Sequence, residues 1–223
     1  MEASFITRGG GLLKDDKWVF DPVEPSDGYF VVAVDLAGFS SDGTSKTKSR
    51  LDETAIVIAK ICRKGWWVKE IVHGQWDVRR TALEIVQAAR SCDAARIGIE
   101  KTSLMHAVVP YLNDYMAQFG QFRAIEPLSH GNTRKEDRIS WALEGRLERG
   151  RIILNGQSGV SLYEQDPWIQ KLIDQANDFP SHLSHDDLID ALAYVDQLGA
   201  TIFETSVNPS ADEWQPLDID SGY

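Results

Sequence analysis

Cysteine, cationic charge and long apolar runs are all scarce in this chain. Only Cys62 and Cys92 are present, and they form no CxxC pair, which leaves a disulfide framework or a thiolate zinc site with little support. A reducing compartment fits both residues. No apolar stretch is long enough and free enough of charge to cross a bilayer, and the opening MEASFITRGG lacks the basic-then-apolar layout of a secretory signal. These features predict an intracellular protein with no membrane partner. Nor does the chain contain a GxxxxGK run followed by Ser or Thr, the loop with which many NTPases hold phosphate. GGGLLKDD is no substitute, because its Lys lacks the partner spacing and no strand precedes it.

Lys and Arg number 23 against 34 Asp and Glu, a net charge of −11. Taken alone this argues against nucleic acid, since holding a phosphate backbone draws on clustered cations. The distribution softens the objection. The last segment carries Glu204, Asp212, Glu213, Asp218 and Asp220 and no Lys or Arg, while basic residues concentrate in KTKSR (46–50) and RKEDRISWALEGRLERGR (134–151). A positive face is compatible with an acidic protein of this kind.

What is present is the material of one large domain: 223 residues, 43% of them hydrophobic. Residues 1–28 mix a glycine run with charges and prolines and show no sustained period, so they are expected to be a linker or N-terminal arm. Residues 204–223 are acidic and proline-bearing and are expected to be a disordered tail. Between them, 29–203 form the predicted domain. Tyr29–Ala37, Glu53–Ile61 and Trp66–Gln75 read as three strands in a meander. A helix over Asp77–Ser91, with Asp77 as N-cap, leads to a strand over Arg96–Glu100. Then follow a helix over Ser103–Phe119, a strand over Phe122–Leu128 and a helix over Lys135–Arg149. A short strand over Arg151–Leu154 and helices over Asp166–Asn177 and His185–Phe203 close the plan. The fold class is mixed α/β, an antiparallel meander plus parallel strands joined through crossover helices.

Three apolar runs each deliver a carboxylate where a core should hold none. Asp35 lies in YFVVAVDLAG (29–38), Glu100 in RIGIEKT (96–102), and Asp186, Asp187 and Asp190 in SHDDLIDALAY (184–194). Burying an unpaired carboxylate costs several kcal/mol, comparable to the net stability of a domain, so such acids sit at a metal, a cation or a raised pKa. One Asp at a strand end is more often a turn or cap residue. Three such places together read as a divalent-metal site. Strand ends on one side of an open sheet collect sites in α/β proteins, and the spacing of Asp186, Asp187 and Asp190 lets either Asp187 or Asp186 share a helix face with Asp190. Carboxylates without cysteine suit Mg²⁺ or Mn²⁺, with positions open to water and phosphate. Two such ions roughly 3.5–4 Å apart activate a water and stabilise the departing 3′ oxygen in phosphodiester cleavage.

The combination VAVDLAG, IGIEKT and HDDLIDALAY, with TRKEDRISWALEGRLERGRI between the last two, resembles the nuclease domain of the large terminase subunit of tailed bacteriophages over about residues 29–199. The resemblance implies an RNase H-like fold and a DNA endonuclease that cuts concatemeric viral DNA during genome packaging, using two divalent metals. It implies Asp35 as the central bridging ligand, Glu100 as the second, and one of Asp186, Asp187 and Asp190 as the third. Asp187 is favoured, since DLID also resembles the DxxD of RuvC-like resolvases. The stretch from Thr133 to Arg151 resembles the family's basic loop and helix, which would set Arg134, Lys135 and Arg138 against the backbone of double-stranded DNA; a solvated helix face with Glu–Arg pairs is the plainer alternative. Lys101 is a further phosphate contact or only a strand-end Lys, and His185 a ligand or proton shuttle near the metals, or a residue of the helix cap. Trp66, Trp67 and Trp76 read as core or sheet-face residues rather than base-stacking platforms.

The partners implied are the packaging ATPase domain, the small terminase subunit and the portal protein, in the host cell cytoplasm. Without a phosphate loop the chain is expected to be the nuclease half, starting inside the linker to the ATPase, or a stand-alone relative. Three other readings use the same acids. A resolvase or transposase-like nuclease would act on other DNA. A phosphotransferase of the actin and sugar-kinase type would need DxGxT, whereas here the glycine of Asp35-Leu36-Ala37-Gly38 comes one position late. A non-catalytic docking module of the packaging motor would keep the acids as structure.

Overall fold

The computed structural model describes residues 4–8, 16–39, 52–129, 131, 133–180 and 185–199. Strand β3 (Tyr29–Asp35) is buried from Val31 to Val34, and β4 (Thr54–Cys62) along all but its last residue. Enclosure on both faces explains why each reads as continuous Val, Ile and Ala instead of alternating with polar residues. β5 (Gly65–Gly74) completes the antiparallel meander, with Val34 opposite Ile56 and Ile61 opposite Trp66. β6 (Arg96–Glu100) and β7 (Ala124–Leu128) add in parallel beyond β3, and β8 (Ile152–Leu154) adds in parallel to β5. With β1 (Ser4–Arg8) and β2 (Asp16–Phe20) the sheet has eight strands in the order β1-β2-β8-β5-β4-β3-β6-β7.

Helices cover both faces. On one side α1 (Val78–Ser91) and α2 (Ser103–Phe119) pack over β3, β4 and β6 through Ile85, Val86, Val108 and Leu112. Asp77 caps α1, its carboxylate accepting from Arg80 N at 2.8 Å. Gly120, left-handed at φ 64°, closes α2. On the other side lie α3 (Lys135–Glu148), α4 (Pro167–Asp178) and α5 (Asp187–Ala193). Ile139, Ala142, Leu143 and Leu147 of α3 enter this core, as the helical spacing predicts. Each large apolar side chain so enclosed contributes about 1.5–3 kcal/mol of transfer free energy. Every residue of α5 is buried, Asp187 and Asp190 included. Residues 195–199 continue as helix after Tyr194. A Cβ at Gly98 in β6 would lie 2.8 Å from side-chain methyls of Leu128 and Leu198, so a larger residue there would force these side chains to shift. Among the described residues no helix is long and apolar enough to cross a membrane.

One expectation is corrected. Within the segment read as a linker, residues 16–20 form β2, which pairs in parallel with β8 through Val19 and Phe20 and buries Trp18 and Phe20 in the core. DKWVF is too short to show a period of its own and is held by a partner more than 130 residues downstream, a contact invisible to local pattern. Element ends elsewhere shift by a residue or two; the last helix, expected from His185, begins at Asp187. The tail 204–223, Phe203 and residues 40–51 of the loop after β3 lie outside the described residues. Trp66 and Trp67 are buried and Trp76 is half-buried against Gly74, in keeping with a core role.

Candidate metal centre

Asp35 is the last residue of β3 and Glu100 the last of β6, and the parallel register that sets Val34 beside Ile99 brings the two carboxylates together at the C-terminal ends of adjacent strands. The buried helix α5 packs against β3 and β4 and adds Asp187 and Asp190. The four acids, with Lys135 and Thr102, line one open cavity of about 300 Å³. Acids from three separate stretches of the sequence thus line one cavity.

Their electrostatics differ. Burial pushes the Asp35 carboxyl well above the usual carboxylate range, and the Asp190 and Glu100 carboxylates push in the same direction; Lys135 opposes them. Burial also raises Asp187, opposed by the Glu53 N–H, which donates to Asp187 Oδ2 at 3.1 Å. Asp190 has both oxygens engaged: Oδ1 accepts from Arg138 Nη2 at 2.5 Å, and Oδ2 lies 3.0 Å from Lys135 Nζ. Asp186, the N-cap residue of α5, accepts from Lys135 Nζ at 2.7 Å. Burial pulls Lys135 down, but Asp190 and Asp186 outweigh it and hold the ammonium above its ordinary pKa.

The remaining expected residues are placed as follows. Arg138, expected at the DNA backbone, is buried, its guanidinium on Asp190 and 4.3 Å from the centre of the Tyr194 ring. These are the surroundings of an interior ion pair, because α3 turns Arg138 inward beside Ile139. Arg134 is the exposed N-cap residue of α3. Lys101 is exposed, and its backbone N–H donates to Leu128 O. His185 Nδ1 lies 3.4 Å from Asp52 Oδ1, and with Asp187 these two residues bring three ligand atoms within 4.8 Å of one another.

Asp52 and Glu53, just before β4, are not among the expected site residues. Asp52 and Glu53 line the cavity because Asp35 pairs with Ala55 across the antiparallel register. A meander makes this legible: the strand after β3 must begin where β3 ends. Glu53 is also bound by His73 Nδ1 at 2.5 Å and Lys171 Nζ at 2.7 Å. Burial raises its pKa, but these two hydrogen bonds prevail and hold it below the usual value.

The carboxylate oxygens of Asp35, Glu100, Asp187 and Asp52, with the His185 imidazole beside them, fit hard divalent cations such as Mg²⁺ or Mn²⁺. Burial and the crowded Asp190 and Glu100 carboxylates raise the Asp35 pKa, and Thr102 Oγ1 is buried at the cavity without a hydrogen-bond partner among the described residues. Both features are those of a site built for a positively charged, hydrated guest.

No protein-family model matches the chain, and no curated protein does. Solved structures do. The human cytomegalovirus terminase nuclease domain, Mn-soaked and inhibitor-bound, superposes with a TM-score of 0.53 at 17% identity, over 79% of this chain and 87% of that one. The nuclease domain of the large terminase subunit gp2 of bacterial virus Sf6 gives 0.53 at 13% identity, over 77% and 89%. This chain has the RNase H-like fold of terminase nuclease domains. The mixed sheet, with its meander and flanking helices, is thereby the expected fold, and the acids of this chain sit at the C-terminal ends of its central strands.

Proposed function

We infer that the chain is a divalent-metal-dependent endodeoxyribonuclease that cuts concatemeric viral DNA during genome packaging. The observation that carries this reading is the convergence of Asp35, Glu100 and Asp187 on one cavity at the strand ends of this fold. Asp35, Glu100 and Asp187 would hold Mg²⁺ or Mn²⁺, two ions being the proposal. Bound there, such ions supply an activated water and charge stabilisation for the departing 3′ oxygen. The chain's own residues do the rest. Glu53 orients Asp187 through its backbone N–H, and Arg134 and Lys135 would face the backbone of double-stranded DNA. Contacts to phosphate position a duplex without reading bases, so little sequence preference is expected. The proposed setting is the host cell cytoplasm, with a packaging ATPase domain, a small terminase subunit and a portal protein as partners.

The test is plasmid cleavage by the purified chain with Mn²⁺, Mg²⁺ or EDTA, beside linear and branched DNA. Metal-dependent nicking and linearisation supports the reading. A marked preference for four-way junctions would move the substrate class to that of a resolvase, and a folded, metal-binding chain that cuts nothing would leave a docking module.

A further inference from the structure

We propose that Asp190 is an anchor for Lys135 and not a metal ligand, and that Lys135, so held, is a catalytic residue that touches the phosphate being cut. The inference rests on the nuclease reading and divides the work within its site. Asp190 is enclosed, its side chain 4% exposed, and each of its oxygens already faces a cation. A divalent ion on the same carboxylate would sit beside two positive groups, which electrostatics disfavours at these separations. Neither cation can easily withdraw. Arg138 is buried against Tyr194, and its Nε and Nη1 have no partner among the described residues, so Asp190 is the carboxylate that balances it.

Lys135 and Arg138 stand three apart at the start of α3, which sends both to Asp190 from one helix face. Lys135 is different in one respect: its side chain is 41% exposed and lines the cavity with Asp35, Glu100 and Asp187. Asp186 grips the same ammonium from the opposite end of the ion-pair chain. Two acids and two bases in this group, Asp186, Asp190, Lys135 and Arg138, balance one another formally. Asp35, Glu100 and Asp187 line the same cavity. An ammonium fixed by two carboxylates at the rim of that trio is placed to meet the non-bridging oxygens of a phosphodiester, where fixed charge needs no reorganisation during the reaction.

The experiment compares the full chain with Asp190→Asn, Lys135→Met, Lys135→Arg, the Asp190→Asn/Lys135→Met double variant and Asp35→Asn. It reads Mn²⁺ affinity by calorimetry, the Mn²⁺-induced rise in Tm, and cleavage at saturating Mn²⁺. Asn keeps an acceptor for Arg138, which protects the fold. Expected are wild-type Mn²⁺ binding in Asp190→Asn and Lys135→Met, loss of binding in Asp35→Asn, and a fall in kcat of about 10²-fold in Lys135→Met with KM little changed. Lys135→Arg should recover part of the loss, and the double variant should be no worse than Lys135→Met, because the two residues act as one unit. Loss of Mn²⁺ binding in Asp190→Asn equal to that in Asp35→Asn would make Asp190 a ligand and overturn the assignment. So would additive losses, or wild-type kcat in Lys135→Met. A wild-type chain that binds Mn²⁺ yet cuts no DNA overturns the nuclease reading instead, and the role of Lys135 with it, while the binding arm still decides whether Asp190 is a ligand.

Discussion

The two flanks of the cavity are built on opposite principles. On the α3 side, Asp190 and Arg138 are enclosed and joined with Lys135 and Asp186 into a chain of ion pairs at 2.5–3.0 Å. On the β4 side, Asp52 and His185 face solvent, with side chains 75% and 45% exposed, and approach each other only to 3.4 Å. Burial explains the contrast. An enclosed charge must be matched by a partner of fixed position, whereas an exposed one is matched by water and keeps its freedom. The first flank is therefore preorganised before any ligand arrives, and the second can follow what enters. Asp35, Glu100 and Asp187 line the same cavity.

The largest effect expected is at that shared centre. Asp35→Asn should lower cleavage by about 10³-fold or more while leaving the fold intact, an effect measurable on supercoiled plasmid. Full activity in this variant would show that the flanks, not the strand ends, hold the chemistry.

Next comes the buried flank itself. Arg138→Ala leaves Asp190 enclosed beside a lost partner and should cost about 3–5 kcal/mol of unfolding free energy in urea titrations. Asp52→Ala, on the exposed flank, should stay within about 0.5 kcal/mol of wild type. Equal losses in the two variants would erase the distinction drawn above.

A smaller and pH-dependent effect follows from the raised carboxyl of Asp35. In the metal-free protein its folded-state pKa lies above the unfolded value, so within that window the folded state binds more protons than the unfolded state does. Stability from this group is therefore greatest at low pH and falls as pH rises through the raised value. In EDTA, Asp35→Asn should be more stable than wild type at neutral pH, with the gap closing as pH drops; a gap that widens on acidification has the wrong sign. The smallest effect belongs to the open flank: His185→Ala should weaken Mn²⁺ binding by about tenfold or less. A loss as large as that of Asp35→Asn would make His185 a principal ligand.

Much of the site was legible because burial leaves a signature in composition. An Asp closing VVAV and a Glu closing IGI stand out against apolar neighbours, and antiparallel and parallel pairing then places strand ends side by side. The partners of those acids were not legible. Helical spacing says that Lys135 and Arg138 share a face, yet not that the face turns inward, and Arg138, expected at a DNA backbone, places its guanidinium on Asp190. Asp52 and Glu53 went unremarked for a related reason, since their place beside Asp35 depends on where β4 enters the sheet.

The sequence by itself determined the order of strands and helices from β3 onward, the setting of Asp35, Glu100, Asp187 and Asp190 in apolar runs and the hard-cation chemistry of carboxylate donors, because these depend on local periodicity and on the cost of enclosing charge. Only the tertiary structure decided that β2 belongs to the sheet and that Asp190 answers to Arg138 and Lys135. Those outcomes depend on contacts between residues 50 or more positions apart, where one-dimensional pattern carries no record of direction and packing chooses the partner.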